Sequence, residues 1–248
     1  MFDSHFHLTD PRLIGHVAHG VEIGANYEEL ANVFEFANAN KNVWCTAGVH
    51  PHYANDFSEN DFVNFVAANH GNKKFVAIGE CGLDYHRTVR ADNERQKAVF
   101  LCHIALADHY KKPLIVHSRD AADDTMDILV ANKDKLTTGI LLHCMSYNQD
   151  WAKELLRRLP DIPVYFAFGG HITYKEGAFL ADTMRAIPQD RILIETDAPY
   201  LAPNSKRGQL NLPEYINETA KKMAEILNLT IKETDNLTTA NAKRFFRI

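Results

Sequence analysis

The chain alternates between short apolar runs and longer stretches in which apolar residues return every three or four positions. Eight runs read as β-strands: Met1–His7, Val21–Ala25, Val43–Val49, Phe75–Glu80, Leu114–Ser118, Gly139–Cys144, Val164–Phe168 and Ile192–Asp197. Several are apolar almost throughout, as strands covered on both faces are. Helical spacing marks Asn26–Ala39, Asp92–His109, Ala122–Val130, Gln149–Leu159, Lys175–Ile187, Leu212–Leu227 and Ile231–Phe245. In the first of these, Leu30, Val33, Phe34 and Ala37 fall on one face. In Asp92–His109, one stripe holds Val99, His103 and Leu106, and another holds Leu101, Ile104 and Ala105.

Strands alternating with helices predict parallel strands joined by right-handed crossovers. Eight such strands predict an α/β fold of the (β/α)8 TIM-barrel type rather than an open sheet. At 248 residues the chain fits the length of about 250 common for that fold, so residues 1–248 are expected to form a single barrel domain. One crossover is abnormal. Only Leu8–Gly20 separates the first two strands, and Pro11, Gly15 and Gly20 interrupt it. A crossover with a full helix usually needs a dozen or more residues. The first β-to-β crossover is therefore expected to be shortened, its helix reduced to a turn within Arg12–Val17.

Metal-capable residues recur at the strand ends: His5 and His7, Glu80, His117, His143 and Asp197. A barrel of this kind collects such positions at its carboxyl face. His5 and His7 stand two apart on a strand, so both point to one face, about 7 Å apart along the backbone. Imidazoles and carboxylates together suit one or two divalent ions, and more carboxylate favours magnesium or manganese. Glu80 can bridge two ions, and His117 and His143, arriving from other strands, can join it around the second. Asp197 can bind an ion, orient water and accept its proton, because the cation lowers the water's pKa. Glu195 shares its face and is expected to support it. Asp197 and Glu80 are thus the candidate catalytic residues. Ordinary buried histidines and salt-bridged carboxylates are the plain alternative, but six recurrences at matching strand ends argue for a common centre.

The remaining chemistry narrows the picture. The net charge of -5 excludes a broad nucleic-acid-coating surface, whose affinity needs a basic excess. Any nucleic acid would be handled locally. The four cysteines form no CxxC pair, which excludes a compact zinc knot and a disulfide-dense scaffold. Cys81 and Cys144 alternate away from Glu80 and His143 and read as packing residues. No leader pattern or membrane-length apolar run is visible, so a cytoplasmic protein with no membrane partner is expected. His50 and His52 flank Pro51, which makes a strand-end turn. They are expected to orient substrate or carry protons rather than form a further metal site. Arg87, Arg119 and Arg207 are candidate phosphate contacts, with an internal ion pair as the equal alternative. Tyr85 offers a base-stacking surface.

The segments FDSHFHL, TAGVHPH, AIGECGLDYHR, PLIVHSRDA, LLHCM, YFAFGGHITYK, LIETDAPYL and TTANAKRFF together resemble the TatD family of metal-dependent deoxyribonucleases, within the amidohydrolase-like barrels. The resemblance spans nearly the whole chain. It implies a (β/α)8 barrel with His5, His7, Glu80, His117, His143 and Asp197 as metal ligands. It also implies magnesium or manganese for activity, with zinc able to occupy similar sites. The implied reaction is phosphodiester hydrolysis that trims DNA ends, with DNA bearing accessible ends or short nucleic acid as the partner. The chain departs from the family at its shortened first crossover, at Phe6 between the histidines, at Met145-Ser146-Tyr147, at His171 and at Leu210–Pro213. These departures leave two alternatives open: a metal-dependent amide or ester hydrolase of a small substrate, and a metal-supported interaction protein without catalysis. A monomer is expected, with a dimer as the alternative.

Overall fold

The computed structural model describes residues 1–86 and 91–248. Eight strands lie in one sheet in chain order: β1 (Asp3–Phe6), β2 (Gly20–Glu22), β3 (Val43–Ala47), β4 (Phe75–Asp84), β5 (Leu114–Arg119), β6 (Ile140–Leu142), β7 (Val164–Phe168) and β8 (Ile192–Ile194). The helices are α1 (Leu30–Ala39), α2 (Glu59–Asn69), α3 (Asn93–His109), α4 (Ala122–Ala131), α5 (Gln149–Arg158), α6 (Leu180–Ala186), α7 (Ile216–Leu227) and α8 (Ile231–Phe246). The pairings of β1 with β2, of β3 through β6 in turn, and of β7 with β8 are parallel. This is the (β/α)8 TIM-type fold that the alternation predicts. No helix among the described residues is long and apolar enough to cross a membrane.

The chain's contacts divide into two compact units. The first comprises Met1–Glu22, His143–Arg157 and Tyr165–Ile248. Its core holds Phe2, Phe6, Phe166 and Phe168, all fully buried. Within it the first strand meets the last: Ser4 Oγ donates to the Ile194 carbonyl at 2.9 Å, and the Asp197 N–H donates to the His5 carbonyl at 2.9 Å. The helix α8 begins with a capping box, in which Thr230 and Glu233 each take the other's backbone N–H. Such a cap is worth about 0.5–2 kcal/mol. Its Asn241 amide then donates to the carbonyls of Gln189 and Ile192, which ties the helix to the start of β8.

The shortened crossover belongs to this unit. Between β1 and β2 there is only a one-turn 3-10 helix, Pro11–Leu13, capped by the Asp10 side chain. Leu13 is buried, while Ile14 and Val17 are 81% and 78% exposed. What replaces the missing helix is a carboxylate. Glu22, fully buried at the end of β2, accepts from the Leu8 N–H at 2.8 Å, the Thr9 N–H at 3.0 Å and the Thr9 hydroxyl at 2.8 Å.

The second unit comprises Ile23–Leu142 and Arg158–Val164. Its longest strand, β4, runs on to Asp84 rather than stopping at Glu80 as the apolar run suggests. Two glycines allow this. Gly79 and Gly82 have φ of 123° and 136°, and a Cβ on Gly82 would collide with the His117 carbonyl. The strand bulges between Ile78 and Cys81 while staying against β5. On α3, Val99, Phe100, His103, Ile104 and Leu106 are buried, but Leu101 of the second predicted stripe is 43% exposed. The helix α2 has no counterpart in the sequence reading. Only Phe62 and Val66 of it are buried, so its apolar stripe is too narrow to register.

His103 is a buried helix residue whose two ring nitrogens are both engaged. Nε2 accepts the Val49 N–H at 3.0 Å and Nδ1 donates to the Val99 carbonyl at 2.8 Å. Burial pushes this imidazole from 6.5 down to about 4. In that window the unfolded chain takes up a proton that the folded chain refuses, so stability falls as pH drops from 6.5 towards 4. The expected slope is about 1.4 kcal/mol per pH unit, or about 3 kcal/mol over the window. Urea unfolding of chelator-treated protein across that range should show the slope, and His103→Gln should flatten it by about that amount.

Candidate metal centre

In the first unit the donors come from β1, from His7 just past its end, and from the turns beyond β6 and β8. Both predicted strands, Gly139–Cys144 and Ile192–Asp197, stop short of their polar ends. His143 follows β6, and Asp197 lies in a left-handed turn with φ of 60°. His5 is fully buried, stacks on His143 at 4.0 Å and meets His7 edge-on at 5.2 Å. Asp197 Oδ1 lies 3.6 Å from His5 Nε2 and 3.5 Å from His7 Nε2. Glu195 Oε1 lies 3.6 Å from His143 Nδ1. His5, His143 and Glu195 each offer a ligand atom, all mutually within 4.8 Å. His143 thus joins His5 rather than the second ion's group with Glu80 and His117, because its strand ends early and its ring stacks on His5.

These spacings fit a divalent ion. Ligand atoms about 2.1 Å from one ion in a tetrahedral shell stand about 3.4 Å from each other. The chemistry fits as well. Glu195 Oε1 accepts the Cys144 N–H at 2.7 Å, whereas its Oε2 is buried with no hydrogen-bond partner among the described residues. A buried carboxylate oxygen in that position is costly without a cation. Burial would raise the Asp197 carboxyl, but the contact with His7 and the charges of His5, His143 and His7 hold it below the usual carboxylate range.

Residues that the sequence reading did not single out hold this cluster in place. The Asp3 carboxylate accepts from the Thr196 N–H at 3.0 Å, the Thr196 hydroxyl at 2.6 Å and the His5 N–H at 3.2 Å. Burial pushes its carboxyl up to about 7, against the lowering effect of those bonds. The Asn211 amide donates to the carbonyls of Thr196 and Tyr200 at 2.7 and 2.6 Å. Thus the Leu210–Pro213 segment pins the segment that carries Asp197. Asp3 was legible as part of DSHFH; Asn211 carried no local signal.

In the second unit Glu80 Oε1 lies 3.0 Å from His117 Nδ1 and 3.6 Å from His50 Nε2. These three residues form another donor cluster within 4.8 Å, and His50, His52 and Asp84 form one beside it. The Pro51 turn is present, as the 3-10 helix Pro51–Asp56. It does not turn His50 away from the donors. His50 Nδ1 accepts the His52 N–H at 3.2 Å, which aims Nε2 at Glu80. Asp84 Oδ2 meets His52 Nε2 at 2.9 Å and His117 Nε2 at 3.2 Å. Burial would raise the Asp84 carboxyl, but hydrogen bonds from His117, His52 and the His86 N–H hold it well below the usual range. Gln96 of α3 grips the strand end, accepting from the Asp84 N–H at 2.8 Å and donating to its carbonyl at 3.0 Å.

The predicted substrate contacts are placed unevenly. The Tyr85 hydroxyl donates to Asp124 Oδ2 at 2.7 Å, and Asp124 also pairs with Lys97 at 2.8 Å. Arg119 is exposed at the end of β5. Arg207 pairs with Glu176 at 3.2 Å and lies over the Tyr174 ring at 4.6 Å, the internal pairing foreseen as its alternative. Arg87 lies outside the described residues. Cys81 is fully buried and donates to the Ile115 carbonyl at 3.5 Å. Cys144 lends its amide to Glu195, and its Sγ lies 3.7 Å from His171 Nδ1.

The family model described as TatD related DNase matches residues 2–247. An uncharacterized metal-dependent hydrolase, YabD, of Bacillus subtilis (strain 168) is 33% identical, covering 100% of this chain and 99% of that protein. The 3'-5' ssDNA/RNA exonuclease TatD of Cronobacter sakazakii (strain ATCC BAA-894) is 32% identical, over 90% of this chain and 84% of its own length. Among solved structures, the TatD homolog YJJV of Escherichia coli K12 superposes with a TM-score of 0.89 at 24% identity, covering 100% of this chain and 98% of that one. That likeness speaks to the fold.

The Asp3 clamp generates a prediction. Asp3→Asn should weaken divalent-ion binding by about 10–100-fold, the usual effect of removing a group that orients ligands. Calorimetric titration of chelator-stripped protein with manganese checks it. Unchanged affinity in a folded variant would show that β1 and the turn after β8 hold their ligands without the clamp.

Proposed function

Because the chain belongs to the TatD-related DNase family, we propose that it is a metal-dependent phosphodiester hydrolase, a deoxyribonuclease that trims DNA ends. The observation that carries this reading is the pair of His/Glu clusters, the buried His5–His143–Glu195 and the half-buried His50–Glu80–His117. In this proposal His5, His7, His143 and Asp197 hold one ion, joined by Glu195. Glu80 and His117 hold a second, with His50 beside them. When bound, magnesium or manganese, with zinc as another occupant, supplies Lewis acidity and an activated water.

The remaining roles belong to the chain's own groups. Asp197, kept ionised by its three histidine neighbours, accepts the proton of the attacking water at its carboxylate. Asp84 orients His117 through Nε2, which leaves Nδ1 facing Glu80 as the ligating side. His52, fixed by Asp84 at 2.9 Å, orients the substrate, as does Tyr85, whose ring Asp124 steadies. Arg119 takes a phosphate oxygen with its planar fork of donors. Arg87 keeps its assignment as a phosphate contact. Arg207, held to Glu176 through one Nη1 contact, is a further phosphate contact through its other donors. We read residues 1–248 as one metal-dependent hydrolase barrel domain acting as a monomer. All four cysteines are free thiols, which suits a reducing cytoplasm.

Chelator-stripped protein reloaded with magnesium, manganese or zinc should cleave short single-stranded DNA from an end. Glu80→Gln and Asp197→Asn should each lower the rate by at least about 100-fold, the scale expected when a group acting on the transition state is removed. Gel analysis of end-labelled DNA and RNA, beside an activated ester, checks this. Ester turnover without nucleic-acid cleavage under every metal would overturn the proposal in favour of small-substrate hydrolysis.

A further inference from the structure

The one-turn helix that stands in for the first crossover helix carries Arg12. Asp10 caps that turn, accepting the Arg12 N–H at 2.8 Å. The same carboxylate grips the guanidinium, Nε to Oδ1 at 2.9 Å and Nη2 to Oδ2 at 2.7 Å. On its other flank the guanidinium carbon lies 5.5 Å from the centre of the Tyr200 ring. Tyr200 in turn stands edge-on to His7, centroids 5.8 Å apart. Its backbone is fixed, the N–H donating to the Asp197 carbonyl at 2.7 Å and the carbonyl accepting from Asn211 at 2.6 Å. Arg12 is therefore connected to a metal-capable histidine through one aromatic ring.

Both outer groups face solvent: the Arg12 side chain is 52% exposed and Tyr200 is 50% exposed. A half-exposed arginine paired with one carboxylate is ordinarily loosely held and worth little to stability. Here a forked ion pair and an aromatic face fix the guanidinium together. Asp10 occupies one edge of the fork. The Tyr200 side chain takes a further hydrogen bond from the guanidinium, and the N–H donors not spent on Asp10 and Tyr200 lie in the planar array that matches phosphate oxygens. A chain threaded past His7 carries a phosphate on each nucleotide. A small neutral ester would have nothing for this group to bind.

Resting on the phosphodiester reading above, we propose that Arg12 is a specificity-determining residue that binds the phosphate next to the one being cleaved, with Asp10 and Tyr200 as its positioning residues. The shortened crossover then contributes to choosing a polyanionic chain over a single small ester.

The test uses the full-length protein loaded with manganese and two substrates. One is an end-labelled single-stranded DNA. The other is bis(4-nitrophenyl) phosphate, which has one phosphodiester and no neighbouring phosphate. Arg12→Gln should raise KM for DNA about tenfold while kcat stays within about threefold, the signature of a lost phosphate contact. The slope of log KM against log salt should fall by about 0.7, the share of one single-strand phosphate contact. The loss on DNA should exceed the loss on the reporter by at least about fivefold. Asp10→Asn should raise the DNA KM too, but add little in the Arg12→Gln background, because it acts through Arg12. If the wild-type protein cleaves DNA and Arg12→Gln leaves KM and salt slope alone, or harms both substrates equally, this assignment is overturned and the phosphodiester reading stands. If the wild-type protein hydrolyses neither substrate, the phosphodiester reading fails, and this assignment with it.

Discussion

Asp3 carries the load of joining the beginning of the chain to its end. Three donors converge on its carboxylate, two from Thr196 and one from His5. Burying a carboxylate costs several kcal/mol unless hydrogen bonds replace its water, so the group is tolerated only while both segments stay in register. The same bonds set the backbone of His5 and the turn before Asp197. Asn211 holds that turn from the other side. The ligands of the first unit therefore inherit their spacing from one buried carboxyl group that touches none of the chemistry.

The second unit reaches a comparable result by a different route. Its carboxylates lie along one strand, which must twist to present Glu80 and then Asp84 to histidines. Gly79 and Gly82 make that path available, and Gln96 anchors its end. His117 lies between Glu80 and Asp84 with one ring nitrogen towards each. The two carboxylates hold the ring's orientation, and with Nε2–H given to Asp84 the Nδ1 lone pair is left for a cation beside Glu80. A chain with modest net charge thus concentrates acidic groups where imidazoles and a cation can offset them.

Much of this was legible in the sequence because strands announce themselves by composition and the donors stand at strand ends. The eight strands, the reduced first crossover, and His5, His7, Glu80, His117, His143 and Asp197 as metal-capable positions could all be read locally. What escaped depends on partners far along the chain. Glu195 reads as a supporting acid, yet its buried Oε2 and its nearness to His5 and His143 are tertiary facts. His50 reads as a turn residue because of Pro51. The turn is real, but its internal hydrogen bond is what aims the other ring nitrogen at Glu80. The helix α2 escaped because two buried side chains make too narrow a stripe, and the ends of β6 and β8 were overrun because polar turn residues followed apolar ones without a break.

The Glu22 latch has a consequence for how this fold can vary. It fastens the chain at Leu8 and Thr9, immediately after His7 and at the very start of the crossover. Everything from Ile14 to Val17 hangs beyond that fastening, largely in water. Along the backbone, a change of length or composition there meets a buried carboxylate holding two amides before it reaches His7. The segment behaves as an interchangeable cassette. A lineage could lengthen it into a helix, trim it to a turn, or alter what it presents to a ligand, while the centre beside it keeps its dimensions.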